Sequence, residues 1–219
     1  MKDIILGYIL CFLCVFGIIG TVTLLHKILK FSGELSRKLI HILVGLTWLP
    51  MYFYLRGTVH IIIVPVIFTV VNWLSAYFGI FKSMERDRGD GKHDFGTVYF
   101  AVCMVILSVI SYFFPNTLYA YGIAVYCLSF GDGAAAIFGT LIKSHNPTIM
   151  KGKSLLGTLS CAVFAVLGVY FACAFTNVSV SPVQALILGV ATAILELFGG
   201  RLDNFTVSFG VMLCACILI

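Results

Sequence analysis

Asp132 stands between Gly131 and Gly133 inside an otherwise apolar run, and Lys143, Lys151, Lys153 and Ser154 follow before the next apolar run opens. A carboxylate within a membrane-spanning segment costs roughly 2.5–3.5 kcal/mol to insert, so it is rarely present without a function. Glycines on both sides allow the backbone to open and turn N–H groups towards an anion. The lysines supply positive charge. Ser154 is placed to cap the helix after it, whose N-terminus then offers N–H groups to the same anion. Mg²⁺ takes one or two carboxylates plus phosphate oxygens, which makes Asp132 a candidate metal ligand. Gly131, Gly133, Lys143, Lys151, Lys153 and Ser154 are then the candidate nucleotide-phosphate ligands. The run is not a Walker A loop, because the Gly-x4-Gly-Lys-Ser/Thr spacing is absent. The competing account is helix packing through small residues, with Asp132 paired to a buried lysine.

A second acidic group lies downstream, with Glu196 at the end of one apolar run and Asp203-Asn204 beyond the helix-breaking pair Gly199-Gly200. Two more carboxylates facing Asp132 would complete a metal site or orient a hydroxyl nucleophile. Acidic residues at a membrane interface are also often simply solvated. Upstream, Arg37, Lys38 and His41 open the second apolar run, with His41 on the same helical face as Arg37. They read either as a site for a nucleotide or lipid phosphate or as an anchor that snorkels to the bilayer surface. Asn72 lies within the third run and should face the bundle, because an unsatisfied amide in lipid is costly, and it joins Arg37, Lys38 and His41 as a candidate lipid or phosphate ligand. The stretch from Lys82 to Asp94 balances four basic against four acidic residues and reads as a solvated loop with no chemistry.

The elements that hold these residues follow from composition. The 219-residue chain is 61% hydrophobic and 11% charged, with a mean hydropathy of +1.08. Soluble domains carry about 45–50% apolar and about 25% charged residues. The fold class expected is therefore all-α: a polytopic integral membrane helical bundle forming a single catalytic domain over residues 1–219. With about 20 apolar residues per crossing, spans fall near Ile4–Leu25, Leu39–Tyr54, Val59–Phe81, Thr97–Phe114, Leu118–Leu141, Leu155–Phe175, Val183–Phe198 and Phe205–Ile219. The last is short, so the count is seven or eight. The first is longer than a signal-peptide core of about 7–15 residues and is expected to be retained as a helix. The eight cysteines lie in apolar segments and read as packing residues, with neither disulfides nor structural zinc expected.

Charge sets the orientation. Twelve of the fourteen Lys and Arg residues fall in the loops after the first, third, fifth and seventh spans. By the positive-inside rule these loops are cytoplasmic, which puts the polar chemistry on the side where nucleotides are. The net charge of +5 reads as this topology signal and as attraction for anionic lipids or nucleotides, with no nucleic acid partner expected.

Taken together, Arg37-Lys38-Leu39-Ile40-His41, Gly131-Asp132-Gly133-Ala134-Ala135, Lys151-Gly152-Lys153-Ser154-Leu155-Leu156-Gly157, Glu196 and Asp203-Asn204-Phe205-Thr206 resemble the polyprenol kinase family of integral membrane lipid kinases. That family comprises dolichol kinase, phytol kinase and the CTP-dependent diacylglycerol kinase, and is related to the phosphatidate cytidylyltransferases. The resemblance implies transfer of the CTP γ-phosphate to a membrane lipid alcohol. It implies that Asp132 binds Mg²⁺, that Lys151, Lys153 and Ser154 hold the triphosphate, and that Glu196, Asp203 and Asn204 complete the metal or nucleotide site. The alternatives are a cytidylyltransferase acting on a phosphatidate-like lipid and a non-enzymatic transporter with a broken helix at Asp132. The expected location is a bacterial plasma membrane, with the active site facing the cytoplasm.

Overall fold

A chain in lipid has no water for its backbone N–H and C=O groups, so its apolar runs close their hydrogen bonds internally as helices. The computed structural model describes residues 1–79, 96–141, 146–150 and 152–219. Lys143, Lys151 and the loop from Lys82 to Asp94 lie outside the described residues. Among the described residues, seven helical segments are long and apolar enough to cross a membrane: Lys2–Leu29, Gly33–Leu55, His60–Phe78, Gly96–Phe113, Pro115–Thr140, Leu155–Thr176 and Pro182–Gly199. Asp203–Leu218 is apolar but shorter. The protein is thus an all-α, multi-pass membrane protein. Its chain divides into two compact units, Met1–Pro115 and Asn116–Ile219.

In the N-terminal unit, α1 (Lys2–Leu29) buries a stripe of Gly7, Cys11, Val15, Ile19 and Val22, the one-face spacing of a helix lying against protein. Most of its remaining surface is apolar and exposed, including Leu13, Phe16 and Leu24, as suits contact with acyl chains. Helix α2 (Gly33–Val44) starts earlier than the Leu39 expected from hydropathy. The reason is local: Ser32 Oγ accepts from the Leu35 N–H at 3.2 Å, and this cap carries a polar first turn that hydropathy leaves out. A 3₁₀ turn (Gly45–Thr47), a short helical turn (Trp48–Pro50) and a π-helical turn (Met51–Leu55) continue the span. Helix α3 (His60–Phe78) and α4 (Gly96–Phe113) complete the unit and pack on each other.

In the C-terminal unit, α5 (Leu118–Tyr126) passes through a π-helical stretch (Cys127–Asp132) into α6 (Gly133–Leu141). A small antiparallel hairpin, β1 (Thr148–Met150) and β2 (Lys153–Ser154), then delivers the chain to α7 (Leu155–Thr176). The hairpin was not expected from sequence, since strands this short carry no readable alternation. Helix α8 (Pro182–Gly199) begins with a capping box between Ser181 and Gln184, and α9 (Asp203–Leu218) closes the chain. Gln184 Nε2 also donates to the Leu218 carbonyl at 2.5 Å, tying the start of α8 to the end of α9. Helix α7 lies against α6, α8 and the π-helical stretch, while α9 lies against α8 and α5. Glycines set these crossings. A Cβ on Gly168 would stand 2.8 Å from the Tyr126 carbonyl carbon and oxygen, so α7 meets α5 backbone to backbone there.

Candidate functional site

Asp132 ends the π-helical stretch, where hydrogen bonds skip one residue more than in an α-helix and shift the register of everything that follows. Single π turns of this kind recur at functional sites because they re-aim side chains without breaking the helix. This corrects the expectation of an opened backbone at Gly131-Asp132-Gly133: the segment stays helical throughout, as a membrane interior demands. The glycine does another job. A Cβ on Gly131 would lie 3.2 Å from Cys161 Sγ and from Thr192 Cγ2, so its absence lets α7 and α8 close on the stretch that carries Asp132. Gly133 is the first residue of α6.

Glu196 lies one turn before the end of α8, and Gly200, with φ 60°, turns the chain out of that helix. Asp203 is the first residue of α9, where a carboxylate is favoured by the helix dipole, and its Oδ1 accepts from the Asn204 N–H at 2.9 Å. These turns bring Asp132, Glu196 and Asp203 together, with one carboxylate oxygen from each lying within 4.8 Å of the others. Asp132 is 6% exposed and Glu196 5%. Asn204 is buried next to Asp203 in the chain.

Lys153 reaches this cluster from the hairpin. Its Nζ donates to Glu196 Oε1 at 2.5 Å and also to the main-chain carbonyl of Glu196. Sequence reasoning assigned Lys153 to phosphate and did not foresee a carboxylate partner 43 residues away.

The start of α7 corrects a second expectation. Ser154 does cap the helix, its Oγ accepting from the Gly157 N–H at 3.2 Å. The other first-turn N–H groups are also taken: Leu155 donates to the Pro147 carbonyl at 2.9 Å and Leu156 to Asn146 Oδ1 at 3.1 Å. The helix therefore presents no open first-turn donors to an anion. Asn146, missed in the sequence, also donates to the Gly139 carbonyl at 3.4 Å and so links α6 to α7; the Asn-Pro pair that marks a turn was its available signal. Ser154→Ala is expected to lower stability by about 1 kcal/mol, the ordinary worth of a cap. Denaturant unfolding in detergent measures it; an unchanged midpoint contradicts the capping role.

The remaining candidates lie in the N-terminal unit. Arg37 pairs with Glu34 on its own helix, Nη2 to Oε1 at 2.6 Å. Lys38 is buried, and His41 meets the Phe100 ring edge-on at 4.7 Å between centroids. Asn72 faces protein as expected, its Nδ2 donating to the Thr97 carbonyl at 3.4 Å. None of these four belongs to the unit that carries the carboxylates. Comparison with protein-family models, with curated proteins and with solved structures gives no match, so the site rests on its own geometry.

Proposed function

We propose that the protein is a membrane lipid kinase that transfers the γ-phosphate of CTP, or of another nucleoside triphosphate, to a lipid alcohol such as a polyprenol, phytol or diacylglycerol. One observation carries this reading: three carboxylates converge in a helical membrane protein, two of them nearly fully buried. Burying such a group is costly unless a counter-charge is present. The donor set suits a hard divalent cation. Neighbouring oxygens around Mg²⁺ stand about 2.9 Å apart and opposed ones about 4.1 Å, so ligand atoms within 4.8 Å of one another would draw inwards around a bound ion.

Asp132, Glu196 and Asp203 would hold the ion, which supplies neutralisation of the charge that develops on the transferring phosphoryl oxygens. The lipid hydroxyl oxygen bonds to the γ-phosphorus as the bond to the β–γ bridging oxygen breaks, and the nucleoside diphosphate departs with that electron pair. The hydroxyl proton passes to one of the three carboxylates. Phosphoryl transfer asks the protein mainly for positioning and charge neutralisation, which a rigid helical cluster provides. A lipid cannot leave the bilayer cheaply, at ~0.8 kcal/mol per buried CH₂, so a site among the spans meets it at its own depth. Lys143 and Lys151 are the basic groups proposed for the triphosphate. The site is proposed to face the cytoplasm of a bacterial plasma membrane, on the strength of the lysine and arginine distribution.

The purified protein in detergent, given CTP labelled at either the α- or the γ-phosphate and a panel of lipid alcohols and phosphatidate, should label lipid from the γ-position alone. Label from the α-position establishes a cytidylyltransferase instead. No label from either, with substrate counterflow in liposomes, establishes a transporter.

A further inference from the structure

Ser129 lies in the π-helical stretch, three residues before Asp132, and is 0% exposed. Among the described residues its Oγ has no hydrogen-bond partner. A hydroxyl buried without a partner is costly, so a ligand that completes it is a physical reason to keep one. Hydroxyls inside helices commonly bond back to a carbonyl one turn earlier. Three others in this chain do so: Thr69 to Pro65 at 2.8 Å, Thr192 to Leu188 at 2.7 Å and Ser108 to Val105 at 2.7 Å. Ser129 does not. The π turn that holds it widens the helix and shifts the carbonyl register, which removes the usual local acceptor.

We infer that Ser129 binds the acceptor hydroxyl of the lipid alcohol, an inference that rests on the lipid-kinase reading proposed above. The Gly133 N–H donates to the Ser129 carbonyl four residues back, so the backbone between them keeps α-helical spacing. Residues three apart then stand next to each other on one side of the helix. Helical side chains lean towards the N-terminus, so the Asp132 carboxylate leans over the turn that carries Ser129. Ser129 is about 4.5 Å from Asp132 along the helix axis, on the side away from the hairpin that brings Lys153. Charged phosphates enter with the basic hairpin, whereas the alcohol arrives from the bilayer and meets Ser129 across the carboxylates. An alcohol oxygen has one proton and two lone pairs. The Ser129 O–H donates to one lone pair, the other is left for the γ-phosphorus, and the acceptor's own proton is turned towards the carboxylates that receive it.

The test measures turnover and unfolding of the full chain in detergent for Ser129→Ala and for Ser129→Cys, which keeps the bulk but offers only a weak donor. Both should lower kcat/KM for the lipid alcohol by about tenfold, the loss of one neutral hydrogen bond, with the KM for CTP unchanged. Ser129→Ala should unfold at the wild-type denaturant midpoint or above it, because the free protein loses no hydrogen bond. Wild-type kcat/KM for the lipid in both variants overturns the inference. So does a loss of turnover that tracks a lowered midpoint, which marks a serine that only supports the fold, or one that comes with a raised KM for CTP. The kinase reading fails separately, and takes the inference with it, if wild type labels no lipid alcohol from γ-labelled CTP.

Discussion

Asp132→Asn is expected to lower lipid phosphorylation by about a thousandfold, the scale of several kcal/mol of lost charge stabilisation at a metal-assisted phosphoryl transfer. The substitution keeps the side chain's size but replaces one accepting oxygen by an N–H₂ donor and removes the charge that a divalent cation requires. Asp132 sits buried at the end of the π-helical stretch, which packs against α7 and α8. Unfolding in detergent, measured beside turnover, separates a lost ligand from a lost fold. Retained turnover in a well-folded Asp132→Asn protein overturns the catalytic assignment.

Gly168→Ala is expected to cost about 1–3 kcal/mol in stability, a typical penalty for overpacking a close-fitted interior, and to depress activity further in the protein that remains folded. The atoms that an alanine Cβ would strike belong to the main chain of Tyr126, at 2.8 Å, with the Cys127 nitrogen at 3.1 Å. Backbone cannot rotate aside as a side chain can, so α7 must move away from the point where the π-helical stretch begins. That displacement is carried along the stretch to Asp132. Unfolding in detergent reads the first effect, and turnover per folded molecule reads the second. Wild-type stability in Gly168→Ala contradicts the backbone contact that seats the stretch.

The spans were legible because lipid leaves one secondary structure for apolar runs of this length, and hydropathy reports that directly. The three carboxylates were legible for a related reason, since each is conspicuous against apolar neighbours. Their grouping was expected from the acidic residues and the family resemblance, and the three do converge; the means were not legible, because the π turn before Asp132 and the reversal at Gly200 have no sequence signature beyond the glycines. Glycine was the misleading residue. Read as backbone freedom for a phosphate loop, Gly131 instead removes a Cβ that Cys161 and Thr192 would meet. The α7 N-terminus misled in the same way: Ser154 advertised a cap, but Asn146 and Pro147, which close the remaining donors, act across a turn and carry no periodic signal. Lys153 was found as a charge and missed as a partner, because its ion pair with Glu196 depends on tertiary structure alone.

The central claim is that Asp132, Glu196 and Asp203 form one divalent-cation site, and electron paramagnetic resonance of Mn²⁺ added to the purified protein addresses it most directly. Wild type should bind one Mn²⁺ per chain, displaced by Mg²⁺, with the bound signal lost in Asp132→Asn and weakened in Glu196→Gln. A wild-type protein that leaves all Mn²⁺ free, or an Asp132→Asn protein that binds it as wild type does, contradicts the account.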